Sequence, residues 1–167
     1  MNFEKMKQTL AGSISEKRFM HSMGVMEEAV RLAAIYSADE EQAKIAGLLH
    51  DCGKSMDKND NLTHAKKSAE LARTVYGVED EEILSAIRYH TTGREAMTML
   101  EKIVYLADKT EKNRRYEGVE ELRTLADEDI DDAIICSLER TIEYVKMRSQ
   151  ELDIESLKTL KFLKEEK

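Results

Sequence analysis

Hydrophobic and polar positions alternate with the period of an α-helix along almost the whole chain. Apolar side chains recur every three or four residues, as at Val25, Ala29 and Leu32, which indicates helices that bury one face. No proline interrupts these runs, and Ala, Leu, Glu, Lys and Met dominate the composition, which favours helix over strand. The pattern therefore predicts an all-α fold.

Polar and glycine residues between the apolar runs divide the chain into nine expected helices. "SISE" at 13–16 and "SADE" at 37–40 have a Ser three positions before a Glu, a capping-box pattern that predicts helix starts. Gly24 and Gly47 fall inside predicted helices and indicate close helix packing. The predicted helices are 3–11, 15–36, 39–51, 63–76, 80–91, 95–112, 119–126, 128–150 and 153–165.

Length and composition predict one soluble globular domain. The 167 residues are 41% hydrophobic, enough for a single core, and no apolar run approaches the roughly 20 residues of a membrane span. Cys52 and Cys136 do not make a disulfide framework, and the N-terminus lacks the apolar core of a signal peptide. We therefore expect a cytoplasmic protein in a reducing compartment.

The net charge of −8 argues against nucleic acid as a partner, because binding to its backbone depends on clustered Lys and Arg. A small anionic ligand is compatible with this charge. A bound metal and a few cationic side chains can focus positive potential locally on an acidic protein. Neither nucleic acid nor a membrane is expected as a partner, and homodimer formation is left open.

All four histidines of the chain lie on the apolar faces of predicted helices. His21 starts the stripe that continues at Val25, and His90 lies three residues after an Ile on its helix face. His50 continues a face of small residues, and His64 opens a helix. Any one of these histidines alone is more often a satisfied core residue than a ligand.

Two aspartates share these inward faces, and the combination changes the interpretation. Asp108 follows an apolar stripe and Asp51 adjoins His50 at a helix end, where burying an unpaired carboxylate is costly. A divalent metal would satisfy all six side chains, since ligand bonds of roughly 2.0–2.2 Å let neighbouring residues converge on one ion. A set without thiolate suits iron, manganese, cobalt or zinc, and six ligands are enough for two ions.

Several motifs make the chain resemble the HD-domain metallohydrolases and, within them, the bacterial YqeK family. They are "HSMGV", "AGLLHDCGK", "AIRYHTTGR", "LEKIVYLADKTEKNR" and "GVEELRTLA", and the similarity spans roughly residues 5–145. Members of that family are symmetrical hydrolases that split diadenosine tetraphosphate into two ADP. The resemblance implies a single HD-domain helical bundle over 1–167, with a metal-binding core at about 15–115 and C-terminal helices over 119–165.

The resemblance also implies a role for particular residues at the metal. A first ion, usually iron in this family, would be held by His21, His50, Asp51 and Asp108. His64 and His90 match positions that hold a second ion or contact substrate phosphate. The cofactor is therefore expected to be one or two divalent transition-metal ions.

Further residues match positions for substrate phosphate and for catalysis. The cationic positions at the phosphate chain are matched by Arg18, Lys54, Arg94 and Arg114. A loop with hydroxyl and backbone donors is matched by Thr91, Thr92 and Gly93. The residues expected to take part in catalysis are Asp51, Lys54, His64, His90 and Arg94, and His21 and Asp108 are also expected to touch substrate.

Two other classes of function stay open. A different HD hydrolase acting on nucleoside monophosphates, cyclic dinucleotides or a guanosine alarmone would use the same metal ligands with another substrate pocket. A non-catalytic HD sensor would bind a nucleotide and pass a helix shift to a partner. The complete ligand set favours an enzyme over a sensor.

Overall fold

A computed structural model describes residues 1–54 and 63–167. Within these ranges the chain forms nine α-helices and no β-strand, so the all-α prediction is confirmed. Each predicted helix is present. The helices are α1 (Phe3–Ser13), α2 (Glu16–Ile35), α3 (Glu40–Leu49), α4 (His64–Thr74), α5 (Glu81–Arg88), α6 (Met99–Thr110), α7 (Val119–Glu128), α8 (Ile130–Met147) and α9 (Ile154–Glu166).

The caps of α2 and α3 differ from the predicted capping boxes. The side chain of Ser15 accepts a hydrogen bond from the Arg18 amide, and that of Asp39 accepts one from the Gln42 amide. Each helix is therefore capped two residues after the serine that the sequence pattern selected. Ser37 itself has a φ of 54°, outside the extended region that an N-cap residue usually adopts.

Helix α6 begins four residues later than the sequence pattern predicts. Thr98 Oγ1 accepts from the Glu101 amide, and Glu101 Oε2 accepts from the Thr98 amide at 2.8 Å, which together form a capping box. Ala96, just before the cap, has a φ of 53°, which an α-helix cannot accommodate. The segment between α5 and α6 is therefore a loop, and His90 stands at its start.

Helices α2, α3 and α6 pack against one another and carry most of the residues of interest. At Gly47 a Cβ atom would come within 2.8 Å of Met26 Cα, so the absence of a side chain lets α2 and α3 cross closely. Ile103, Val104 and Leu106 of α6 are fully buried beneath this crossing. The expectation that interior glycines mark close packing is confirmed here.

The C-terminal helices extend the bundle next to α6. Helix α8 packs against α6, α7 and α9. Helix α9 is also tied to the loop after α5, because Thr159 Oγ1 donates a hydrogen bond to the Thr92 carbonyl at 3.0 Å. Among the described helices, none combines the length and the apolar character that crossing a membrane requires.

Candidate metal centre

The six predicted ligands meet at one place in the described structure, although they come from five separate parts of the chain. Helix packing brings them together: α2 carries one, the C-terminal end of α3 carries two, the start of α4 one, the loop after α5 one and α6 one. Four of them are buried. In chain order, these candidate ligands are His21, His50, Asp51, His64, His90 and Asp108.

A first donor group is formed by His21, His50, Asp51 and Asp108, whose donor atoms all lie within 4.8 Å of one another. His21 Nε2 is 3.0 Å from Asp108 Oδ1 and 3.3 Å from His50 Nε2. His50 Nε2 is 3.4 Å from Asp51 Oδ2. Two imidazoles and two carboxylates thus point at a common position.

A second donor group uses the other oxygen of the same carboxylate. Asp51 Oδ1 lies 3.2 Å from His64 Nε2 and 3.3 Å from His90 Nε2, and these two nitrogens are 3.2 Å apart. Asp51 therefore belongs to both groups, with one oxygen facing each. A carboxylate in this position can bridge two metal ions.

Backbone carbonyls fix the orientation of two of the imidazoles. His50 Nδ1–H donates to the Gly47 carbonyl at 2.8 Å, and His90 Nδ1–H donates to the Ile87 carbonyl at 2.7 Å. Because a carbonyl only accepts, the proton of each neutral ring lies on Nδ1 and the lone pair of Nε2 faces the cluster. The hydrogen bonds therefore fix both rings in the orientation and tautomer that a metal ligand requires.

The electrostatics of the cluster favour positive charge. Burial alone would raise the pKa values of Asp51 and Asp108, but electrostatic interactions with the surrounding imidazoles, and with the Lys109 ammonium in the case of Asp108, outweigh burial and lower both pKa values. Burial likewise opposes protonation of His50, but the Asp51 and Asp108 carboxylates outweigh it and raise the pKa of His50. The two carboxylates are therefore ionised, and their negative charges favour binding of a cation.

The donor set fits a divalent metal ion by its own chemistry. Asp51 Oδ1 is buried and receives no hydrogen bond within the described part of the chain. The preset ring of His90 turns a lone pair toward this oxygen, and two lone pairs repel each other unless a cation lies between them. A cation bound there would satisfy both donor groups at once.

Three of the four predicted phosphate-binding cations border the first donor group. Lys54 Nζ is 4.0 Å from Asp51 Oδ2, and Arg114 Nη2 is 3.0 Å from Asp108 Oδ1. Arg114 Nε also donates to the Asp108 carbonyl at 2.7 Å. The guanidinium of Arg18 donates to the Lys54 carbonyl, which places it beside the same group.

Arg94, the fourth predicted cation, is engaged elsewhere. Its Nε donates to both carboxylate oxygens of Glu101, at 2.9 and 3.0 Å. Glu101 is buried and also accepts hydrogen bonds from the Ser85 hydroxyl and the Thr98 amide. The described contacts of Arg94 therefore join the loop after α5 to the start of α6 rather than to the donor cluster.

The predicted loop of hydroxyl and amide donors reaches the cluster at only one of its three residues. Thr91 Oγ1 lies 3.5 Å from His64 Nε2. Thr92 Oγ1 instead donates to the Gly93 carbonyl, and the Gly93 amide donates to the Tyr89 carbonyl, both at 2.8 Å. The hydrogen bonds of Thr92 and Gly93 are thus made within the loop and to the C-terminal end of α5.

Sequence reasoning missed Glu111, a buried carboxylate behind His21. Its Oε1 lies 3.5 Å from His21 Nδ1, and its Oε2 accepts from the Asn113 amide at 3.0 Å. A Cβ atom on Gly24 would come within 2.0 Å of this Oε2, so only glycine leaves room for the carboxylate at that point of α2. The interior glycine three residues after His21 was the available signal.

Comparison with known proteins agrees with this geometry. The sequence model of the HD domain matches residues 18–113, a range that contains all six candidate ligands. The chain belongs to the HD-domain family. Across the described residues this HD domain keeps the histidine and aspartate donors together at the ends and inner faces of its helices.

Relatives that match this HD domain over nearly its whole length share one name. A symmetrical bis(5′-nucleosyl)-tetraphosphatase of Halalkalibacterium halodurans is 40% identical, with 95% of each chain covered. The enzyme of the same name from Bacillus subtilis is 38% identical over 90% of this chain and 91% of its own. The resemblance to the YqeK-like branch of the HD hydrolases is therefore confirmed.

A solved structure has the same fold as this HD domain. It is described as a predicted HD superfamily hydrolase involved in NAD metabolism from Clostridium acetobutylicum. The two chains are 38% identical and superpose with a TM-score of 0.94, with 100% of this chain and 99% of the other covered. This likeness confirms the HD-type all-α fold.

Proposed function

We propose that this HD domain is a metal-dependent phosphohydrolase that cleaves diadenosine tetraphosphate symmetrically into two ADP. The observation that carries the proposal is the pair of donor groups sharing Asp51, with Lys54 and Arg114 beside the first group. Full-length relatives at 38–40% identity named symmetrical tetraphosphatases support the choice of reaction.

The first donor group holds one divalent ion in this proposal, and His64 and His90 with Asp51 hold a second or contact substrate phosphate. Nitrogen and oxygen donors without thiolate suit iron, with manganese, cobalt or zinc as alternatives. Cys52 does not compete as a metal ligand, because its Sγ–H donates a hydrogen bond to the Ser68 carbonyl at 3.3 Å. Iron is our first choice because the YqeK family usually carries it.

When bound, divalent ions make water nucleophilic near neutral pH and polarise phosphoryl oxygens. The side chains of this protein prepare the site for that chemistry. His50 and His90 are preset by their carbonyl partners, and Asp51 holds its two oxygens toward both donor groups. No serine or cysteine nucleophile takes part in the proposed reaction.

Cations next to the ligands bind the phosphate chain. Lys54 offers a compact charge beside Asp51, and Arg114 offers a planar fork beside Asp108, suited to two nonbridging oxygens. Arg18 adds a third charge next to Lys54. These cations and the donor groups orient the substrate so that displacement at phosphorus is in line.

The loop after α5 contributes from the edge of the site. Thr91 is close enough to His64 to share a phosphate oxygen with it. Arg94, Thr92 and Gly93 contact phosphate only if they exchange their present partners within the protein. We therefore expect smaller losses of activity from substitutions of Arg94 than from those of Lys54 or Arg114.

Cleavage at the central bridge accounts for a symmetrical outcome. Water oxygen bonds to one of the two inner phosphorus atoms, the bond from that phosphorus to the central bridging oxygen breaks, and ADP leaves with the electron pair of that bond. The protons of the water pass to solvent. The attacked half becomes the second ADP, with the new oxygen on its terminal phosphate. Both halves of the substrate are identical, so one product forms whichever half is attacked.

The ligand proposed here is a small nucleotide in the cytoplasm. The chain carries a net charge of −8, which disfavours extended nucleic acid. Both cysteines are free, as expected in a reducing compartment.

The decisive experiment incubates metal-replete protein with a panel of dinucleoside polyphosphates and separates the products by chromatography. We expect ADP alone from diadenosine tetraphosphate, and labelled water should leave one labelled oxygen on half of the ADP. A mixture of AMP and ATP would overturn symmetrical cleavage. Turnover restricted to nucleoside monophosphates, cyclic dinucleotides or guanosine tetraphosphate would assign another HD hydrolase activity.

A further inference from the structure

A cleft of about 770 Å³ opens beside the metal centre. One wall comes from the end of α6 and the segment that leads to α7, and the other comes from α8. Asp108 lies at its edge and belongs at the same time to the first donor group. A molecule in the cleft can therefore extend directly to the proposed ligands.

The cleft gathers the exposed aromatic side chains of the protein. The chain has six tyrosines, three phenylalanines and no tryptophan, all within the described ranges. Of these nine, the exposed ones are Tyr116 and Tyr144, at 43% and 54% of their surface, and both line this cleft. Exposed aromatic rings next to a phosphate-binding site are typical platforms for stacking a nucleobase.

Positive charge lies between these rings and the metal centre. Arg114 Nη2 is 3.0 Å from Asp108 Oδ1, and Lys109 Nζ is 3.7 Å from Asp108 Oδ2. On the opposite wall, Arg140 Nη1 donates to the Gly118 carbonyl at 3.0 Å, which fixes its guanidinium across the cleft. Arg140 Nη2 also pairs with Glu121 Oε2 at 2.6 Å, so Arg114 and Lys109 are the cations placed where a nucleotide's phosphates would enter.

One face of α8 provides further groups suited to a nucleoside. Ser137, Thr141 and Tyr144 all line the cleft and are spaced four and three residues apart, so they lie on one side of the helix. Ser137 is buried, whereas the hydroxyls of Thr141 and Tyr144 can donate or accept hydrogen bonds to a ribose or a base edge. The guanidinium carbon of Arg148 lies 4.8 Å from the centre of the Tyr144 ring, which is a cation–π contact.

We propose that this cleft receives one nucleoside end of the substrate. The base lies against Tyr116 and Tyr144, and its phosphates pass Lys109 and Arg114 to reach Asp108. This inference rests on the proposed function, because it takes the substrate to be a dinucleotide whose phosphate chain crosses the donor groups. One cleft suffices to position the central bridge, since the two ends of the substrate are identical.

The test measures binding of ADP by calorimetry to the wild-type protein and three variants. Tyr144→Ala removes the ring and should weaken ADP binding by roughly fivefold to 150-fold, the range for losing one stacked base. Tyr144→Phe keeps the ring and should bind nearly as well as wild type. Met147→Ala, at an 80% exposed position one turn further along α8, is the matched control and should leave binding unchanged.

Inorganic tetraphosphate has no nucleoside, so it distinguishes binding of the phosphate chain from binding of the nucleoside. Its inhibition constant against diadenosine tetraphosphate hydrolysis should be the same in Tyr144→Ala and wild type. An unchanged ADP affinity in Tyr144→Ala, no measurable ADP binding by wild type, or an equal loss for ADP and tetraphosphate would each overturn the inference.

The two proposals can fail separately. If the protein hydrolyses diadenosine tetraphosphate while Tyr144→Ala keeps the wild-type KM and ADP affinity, the cleft inference is wrong and the proposed function stands. If wild type binds ADP in a Tyr144-dependent way but yields no ADP from diadenosine tetraphosphate, the cleft is a nucleoside site and the proposed function is wrong.

Discussion

The two donor groups that share Asp51 differ in charge and in exposure. The first combines His21 and His50 with two carboxylates, whereas the second sets His64 and His90 around a single shared oxygen. The side chains of His64 and His90 are 6% and 1% exposed, while that of His21 is 20% exposed. The second group is thus more enclosed and less negative.

This difference predicts different affinities for a divalent ion. The Coulomb attraction for a dication grows with each carboxylate in the donor group, whereas a neutral imidazole adds no net charge to it. Burial lowers the pKa of His90, despite its proximity to Asp51, so its ring is neutral when the site is ready for metal. We expect the first group to bind its ion more tightly and the second to depend on Asp51.

The largest effect is expected from Asp51→Asn, which removes the charge common to both groups. Both sites lose their shared ligand, so bound metal should fall below measurable levels. Turnover should fall at least roughly 1,000-fold, since metal activation contributes several kcal/mol to the reaction. Elemental analysis and steady-state rates check this. Wild-type activity in a thoroughly metal-free sample would refute a metallohydrolase.

The predicted difference in metal affinity between the two donor groups is tested by comparing Asp108→Asn with His90→Gln. Asp108→Asn takes a carboxylate from the first group, so its tighter ion should bind roughly 100-fold more weakly or worse. His90→Gln changes only the second group and should leave that affinity nearly unchanged. Competitive metal titration measures both. An equal loss in the two variants would mean that the groups act as one site.

Removal of metal should destabilise the protein by an intermediate amount. A ligand that binds only the native state stabilises it by about 2.7 kcal/mol at a free concentration of 100 Kd. For a chain of this size that corresponds to a fall in Tm of about 5–11 °C after chelation. Calorimetric scans with and without chelator check the shift, and identical curves would contradict an enclosed site.

The smallest effect is expected from Glu111→Gln, which changes charge but not volume next to Gly24. Loss of the carboxylate behind His21 should weaken metal binding at the first group by roughly tenfold to 100-fold, the usual range for a partner of a ligand. Glu128→Gln, the same change at an exposed position, is the control. Equal affinities in both variants would show that Glu111 does not orient His21.

Periodicity predicted the helices well because each buries an apolar face, but it could not place their ends. Caps depend on single side chains, as Ser15, Asp39 and Thr98 show. The sequence pattern extended α6 back to residue 95, across Ala96, whose backbone is left-handed. A one-dimensional pattern contains no information about such local backbone geometry.

The clustering of the candidate ligands was predictable because buried histidines and aspartates are costly without a partner. Their grouping was not predictable, since the two oxygens of Asp51 face different histidines only once α3, α4 and α5 are packed. Glu111 is one of 34 acidic residues, and nothing local distinguishes it. Its role depends on where α2 crosses the end of α6, near Gly24.

Glu101 has a consequence for local unfolding. Its buried carboxylate joins Ser85 of α5, Arg94 of the following loop and the amide of Thr98 at the start of α6. Freeing any one of these partners leaves the carboxylate poorly satisfied, so the three segments open together rather than one at a time. In hydrogen exchange the amides of this junction should behave as one cooperative unit, and the loop that starts at His90 should share the protection of the helices that flank it.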